Sequence, residues 1–173
     1  PGFNGMAVVF GTQARQCQQQ SASLEYLPLY SADIVIAVNQ NGNSAGVIDG
    51  WKSLIDSEAV VLVPHNATEG GRLAAIALSK GLGAQDGDYG PALEAFAFLN
   101  AQKRLNSQSD YFLSGYDYMY DPESLEDFDA VVLWDYQTSA LESYGDWDII
   151  VPLEGVFSVD CGLVYSRRFG QQE

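Results

Sequence analysis

The sequence predicts an α/β domain: a three-layer, open, largely parallel sheet with helices on both faces. Three observations carry this. The runs Ile34–Val38, Val60–Val63 and Ala130–Trp134 are short, mostly branched and continuously apolar, the pattern of strands covered on both faces. Segments with helical apolar spacing fall between them, as in a chain that alternates strand and helix. The length, 173 residues with 47% hydrophobic and 12% aromatic content, suits a single domain over 1–173 with one sizeable core.

Taken in order, Met6–Phe10 is a short apolar strand that ends at Gly11. The Gln-rich stretch Gln13–Ser23 has no apolar face and is expected to be a loop or a short exposed helix. Leu24–Tyr30 is extended but interrupted by Pro28. Ile34–Val38 is a strand, closed by the turn formers Asn39 to Asn43. Val47, Ile48, Trp51, Leu54 and Ile55 have helical spacing and predict a helix from about Gly46 to Ile55. Val60–Val63 leads through Pro64, His65 and Asn66 into a helix from about Gly70 to Lys80. A second long helix is predicted over Ala92–Leu105, with Lys103 and Arg104 at its negative dipole end. Ala130–Trp134 is the next buried strand, Gln137–Ser143 is helical, and Trp147–Val151 and Val156–Tyr165 close the chain as strands.

Charge removes several function classes. Eight Lys and Arg against 23 Asp and Glu leave a net charge of −15, which repels phosphate backbones and anionic membranes, so nucleic acid is excluded as a partner. The longest apolar candidates, Ala32–Val38 and Ala59–Pro64, have strand length, well short of a membrane span. Between Leu105 and Ser166 there are 13 acidic residues and no Lys or Arg. The densest part, Asp117–Asp129, follows Tyr111 and includes Tyr118 and Tyr120, next to Tyr116. It fits a solvated loop, an aromatic and acidic lining for a cationic ligand, or a calcium loop, although it lacks the glycine and alternating ligands of an EF-hand. The start, Pro-Gly-Phe-Asn-Gly, has neither an initiator Met nor a signal-peptide pattern and has the character of a processed or cut piece.

His65 is the only histidine, so any Ser-His or Cys-His machine would have to use it, and a two-histidine metal site is excluded. No GxSxG, GxGxxG or GxxxxGK[ST] is present. Carboxylates abound, yet no spacing marks a catalytic pair. Two cysteines, Cys17 and Cys161, form no metal motif. Cys161 suits a small core residue, and a disulfide would require the fold to bring the chain ends together.

Binding signals are stronger. Thr68 can cap the helix that begins after Val60–Val63, and the glycines Gly70 and Gly71 would let a ligand approach the backbone N–H groups beside Arg72. Asp135, Tyr136 and Gln137 supply polar groups after the strand Ala130–Trp134. In an open α/β sheet, both places lie where small molecules bind, beyond strand C-termini. An ordinary helix cap is the competing explanation of the first.

Four segments in order, Leu27–Asn39 (LPLYSADIVIAVN), Trp51–Asp56 (WKSLID), Val60–Pro64 with Thr68–Gly71, and Asp129–Tyr136 (DAVVLWDY), resemble the extracellular solute-binding proteins of ABC importers, with the type II periplasmic-binding-protein fold. The resemblance spans about Met6 to Ser166 and covers mostly one lobe, with Ile149–Tyr165 as the return crossing. It implies capture of a small polar or charged solute between two lobes, a membrane permease as partner, and an extracellular or periplasmic location, with or without a lipid anchor. It implies no catalysis, cofactor or metal. Carried over by position, ligand contacts fall at Thr68, Glu69, Gly70, Gly71 and Arg72, and at Trp134, Asp135, Tyr136 and Gln137. The Tyr-rich stretch Tyr111–Tyr120 departs from the short Gly- or Ser-rich turn usual there. Two other readings share the fold class: the effector-binding domain of a bacterial transcription regulator and a carboxylate-based α/β enzyme.

Overall fold

A computed structural model of the chain describes residues 6–66, 68–108, 125, 127–141 and 144–166. The strands are β1 (Met6–Phe10), β2 (Leu24–Asn39), β3 (Val61–Pro64), β4 (Leu105–Gln108), β5 (Ala130–Trp134), β6 (Trp147–Ile150) and β7 (Phe157–Ser166). The helices are α1 (Gly11–Gln20), α2 (Trp51–Asp56), α3 (Glu69–Gly81) and α4 (Gly90–Ala101). A 3₁₀ turn (Asp135–Gln137) and one helical turn (Thr138–Leu141) follow β5. Hydrogen-bonded neighbours run in the order β1-β7-β2-β5-β3-β4, with β6 also on β2. The chain forms two compact units: one takes the chain up to Asp33 and from Ser158 onward, and the other takes Ile34–Phe157.

In the larger unit the three strands expected to be buried are buried. Every residue of β3 and β5 is buried, as are Ile34–Val38 of β2, whereas Val60 precedes β3 and is half-buried. Side chains alternate across a strand. Val131 and Leu133 therefore join Val35, Ala37 and Leu62 on one face, beneath Leu125, Phe128 and Leu141. On the other face Val61, Val63 and Val132 meet Trp51 and Leu54 of α2, Leu78 of α3 and Leu99 of α4. The three-layer α/β expectation holds.

Strand direction is where the fold departs from a largely parallel sheet. β3 is parallel to β4 and β5, whereas β2 is antiparallel to β5 and β6, and β7 is antiparallel to β1, so the sheet is mixed. The parallel pair β3–β4 is joined through α3 and α4, the long helical crossover that neighbouring parallel strands need. β2 and β3 are not neighbours, because β5 lies between them.

Element ends also moved for local reasons. The predicted helix over Gly46–Ile55 begins only at Trp51, because Gly46 has φ 70° and the Glu154 carboxylate caps the helix there, accepting from Trp51 N (3.1 Å) and Lys52 N (2.9 Å). The helix expected to run to Leu105 stops at Ala101. Lys103 then turns the chain with φ 58°, and Leu105 opens an unforeseen strand, β4. Gln13–Ser23 resolves into helix for its first part, within α1. Strand β2 continues through Pro28, which the ladder tolerates because among the described residues this stretch is paired on the β7 side alone.

Arg104 is 7% exposed and sits between α2 and β3. Its Nε donates to the Ala59 carbonyl (2.9 Å), and its Nη1 donates to Gln102 Oε1 (2.8 Å) and, more weakly, to the Ile55 carbonyl (3.4 Å) at the negative end of α2. Arg104→Met keeps the stem but leaves buried carbonyls without a donor. The expected loss is about 2 kcal/mol, read as a lower urea midpoint at unchanged slope.

In the smaller unit β1 pairs with β7 from Met6↔Tyr165 to Phe10↔Cys161. Side chains tie β7 to β2: Ser31 Oγ donates to Asp160 Oδ1 (2.8 Å), Tyr165 Oη donates to Glu25 Oε2 (2.7 Å), and the Ser158 hydroxyl donates to Asp33. Desolvation pushes the Tyr26 phenol above its ordinary pKa. Negative charge at Asp160 and then Cys161 acts the same way, and Arg15 acts against them. Neither Cys17 nor Cys161 forms a disulfide, and Cys161 is buried as a small core residue.

Candidate functional site

The pairing Leu62↔Val131 sets β3 and β5 side by side and parallel, so Pro64 and Trp134 leave the sheet at the same edge. Paired strands are roughly 4.8 Å apart, and the segments that follow these two therefore start as neighbours. The sequence-predicted residues fall on those two segments.

After β3, Thr68 organises the turn into α3. Its N–H (2.8 Å) and its hydroxyl (2.6 Å) both donate to the His65 carbonyl, while Oγ1 accepts from Gly71 N at 3.0 Å. The cap leaves the first N–H groups of α3, those of Glu69 and Gly70, without an intrahelical acceptor at the positive end of a 13-residue helix. Gly70 and Gly71 are buried and Arg72 is exposed. Gly71 serves a different purpose from the one its sequence suggests. A Cβ there would stand 2.0 Å from the His65 carbonyl oxygen and 2.4 Å from its carbon, so the space beside Gly71 is filled by the chain's own loop.

After β5, Trp134 is buried at 1% exposure and its ring stacks on Tyr136, with centroids 6.1 Å apart and planes at 13°. Tyr136 is 51% exposed and presents an aromatic surface at this edge. Gln137 Oε1 accepts from Trp134 N (3.1 Å), Asp135 Oδ1 accepts from Tyr136 N (2.7 Å), and the Asp135 carbonyl accepts from the Thr138 hydroxyl (2.7 Å). Asp135 and Gln137 thus hold the turn that presents Tyr136. The stack escapes sequence reading because residues two apart on a strand would share a face without touching, and it is the 3₁₀ turn that folds one ring back on the other.

This arrangement can receive a polar group at backbone N–H donors beside an aromatic face. Among the described residues no group of three or more His, Cys, Asp or Glu is placed to hold a metal ion. The Tyr-rich stretch Tyr111–Tyr120 lies outside the described residues. A cavity of about 450 Å³ elsewhere in the larger unit is lined by Val47, Asp49, Lys52, Asp56, Leu153 and Glu154. Two of its carboxylates serve α2: Glu154 caps it, and Asp49 Oδ1 accepts from the Ser53 hydroxyl at 2.6 Å.

No protein-family model matches the chain, and no curated protein does. Solved structures do. A GABA receptor, Atu4243, aligns over 94% of this chain and 55% of its own, at 14% identity and TM-score 0.66. Peb3 from Campylobacter jejuni aligns over 87% of this chain and 58% of its own, at 14% identity and TM-score 0.56. A spermidine/putrescine ABC transporter protein from Listeria monocytogenes aligns over 82% and 42%, at 16% identity and TM-score 0.58. The chain therefore has the fold of the ABC solute-binding proteins and spans about half the length of these structures. Among the described residues no helix is long and apolar enough to cross a membrane.

Proposed function

We propose that this chain is one lobe, with its crossover segments, of an ABC importer's solute-binding protein, and that it holds a small polar or charged solute at the sheet edge where β3 and β5 end. The parallel β3–β5 pair carries this reading. It supplies an edge of the sheet at which two strand C-termini meet a helix start, Thr68–Arg72, and a polar turn, Asp135–Gln137. Ile34–Phe157 is the lobe, and the smaller unit carries the chain to and from a first lobe that lies mostly outside these 173 residues. The full-length parent is extracellular or periplasmic, in one form lipid-anchored, and delivers the solute to a membrane permease. The fold shared with ABC solute-binding proteins supports this.

Charge does not choose the solute. The similar structures include a PEB3 bound to L-phospholactate, a GABA receptor and a spermidine/putrescine ABC transporter, that is, an anion, a zwitterion and polycations. A thermal-shift screen against metal ions, oxyanions, polyamines, sugars and amino acids is the test. One class is expected to raise Tm by an amount that grows with the logarithm of concentration above Kd. No shift from any class, together with turnover in a hydrolase and transferase screen, would overturn the reading in favour of an enzyme.

A further inference from the structure

At the other end of β5 the larger unit contains a crevice of about 330 Å³ lined by Asn39, Asn41, Phe128, Asp129, Tyr144 and Trp147. Asp129 and Trp134 are five residues apart, so at about 3.3 Å per residue the crevice lies roughly 16 Å along the strand from the candidate site. Tyr144 and Trp147 pack against the core cluster while also lining the crevice, which fixes their rings in place. Trp147 Nε1 is directed at the Tyr144 carbonyl (3.5 Å), which ties the Trp147 ring to the Tyr144 backbone.

The polar lining carries little usable charge. Among the described residues that line it, Asp129 is the only ionisable acid or base apart from the Tyr144 phenol, and each carboxylate oxygen accepts a backbone hydrogen bond, Oδ2 from Val60 N (2.9 Å) and Oδ1 from Asn43 N (3.1 Å). Backbone N–H groups thus engage both oxygens of this carboxylate and fix its orientation. What remains are side-chain amides. Asn39 Oδ1 accepts from Asn41 N (2.9 Å) and its Nδ2 makes only a long contact to the Phe128 carbonyl (3.4 Å). Asn41 is exposed. An amide offers two donors and one acceptor, which suits hydroxyl groups that both give and take a hydrogen bond.

Fixed aromatic rings beside amides, with the one carboxylate already satisfied, match a molecule that has an apolar face and a rim of hydroxyls. We propose that this crevice is a second binding site, taking a neutral polyhydroxylated ring such as a single saccharide unit. Its volume is at the small end of the roughly 300 to 1,000 Å³ of ligand pockets, enough for a ring or two and too small for a long polymer. The site uses none of Thr68–Arg72 or Trp134–Gln137 and stands independently of the transport reading.

Trp147 provides the readout, because Trp51 and Trp134, the other two of the chain's three tryptophans, are each only 1% exposed while Trp147 is partly exposed. Fluorescence titration with a panel of neutral methyl glycosides is expected to give a saturable change at millimolar concentration for at least one of them. Asn41→Ala, at an exposed position, and Tyr144→Leu, which keeps apolar volume against the core, are each expected to weaken that midpoint by about tenfold, equivalent to 1.4 kcal/mol. Sodium phosphate and putrescine, the charged probes, are expected to give no change at Trp147. The proposal is overturned if no glycoside gives a saturable signal, if the signal survives in both folded variants, or if a charged probe saturates the crevice instead.

Discussion

Replacing Gly71 with Ala is expected to destabilise the chain by about 3 kcal/mol, the upper part of the range for forcing extra atoms into filled space. The atoms a methyl group would meet are backbone: the His65 oxygen at 2.0 Å, its carbon at 2.4 Å and Asn66 N at 2.8 Å. None can swing aside as a side chain would, so either the loop after β3 or the start of α3 must move. Either shift also breaks the cap, because Thr68 links the His65 carbonyl on one side to Gly71 N on the other. For a chain of this length the loss corresponds to a Tm lower by about 10 °C. Arg72→Ala, one residue on and exposed, is the control and is expected to stay within about 0.5 kcal/mol of the parent. A Gly71→Ala protein as stable as the parent would show that the loop does not pack against the helix start.

The second large effect concerns affinity. If the chain is one lobe of a two-lobed binder, it holds its solute far more weakly alone than the complete protein does. Enclosed ligands lose about 70 to 90% of their surface to protein, and one wall cannot bury as much. Each 1.4 kcal/mol is a factor of ten, so losing half the contacts takes a micromolar binder to roughly millimolar. Hinge closure, by which two-lobed proteins trap a ligand, is also lost. Calorimetry on the 173-residue chain and on the two-lobed parent with the same solute measures the difference. Equal affinity would mean that the site on this chain is self-contained and would end the half-clamshell reading.

What was legible in the sequence followed from burial. Ile34–Val38, Val60–Val63 and Ala130–Trp134 stood out because strands covered on both faces must be apolar throughout, and they became the centre of the sheet. Strand β4, Leu-Asn-Ser-Gln, was invisible, since at the end of the strand order it needs no apolar run, and its first residue passed for the end of a helix. α1 was half legible. A Gln-rich helix in which Ala14 is fully buried leaves almost no apolar periodicity to detect. Strand direction is absent from any local pattern. The start of α2 is likewise set from afar, by the Glu154 cap, which comes from a residue 103 positions away from Trp51.

The candidate site divides in the same way. The Thr68 cap was legible because it is a contact within three residues. The position of Thr68–Arg72 beside Trp134–Gln137 was legible only as strand ends of like role, and the parallel register of β3 and β5 supplies the adjacency. The role of Gly71 and the ring stack of Trp134 on Tyr136 were not legible. Both depend on how tightly the backbone turns at the sheet edge, which residue type alone does not encode.

The central claim is that solute binds at the edge where β3 and β5 end. Amide NMR spectra of the chain, titrated with the panel member that gives the largest thermal shift, test it most directly. The account predicts that the amides of Thr68–Arg72 and Trp134–Gln137 move together along one binding curve, while those at the start of β3 and in α2 stay in place. Shifts confined to the cavity along α2, around Asp49, Lys52 and Glu154, with both strand-end segments unmoved, would contradict it.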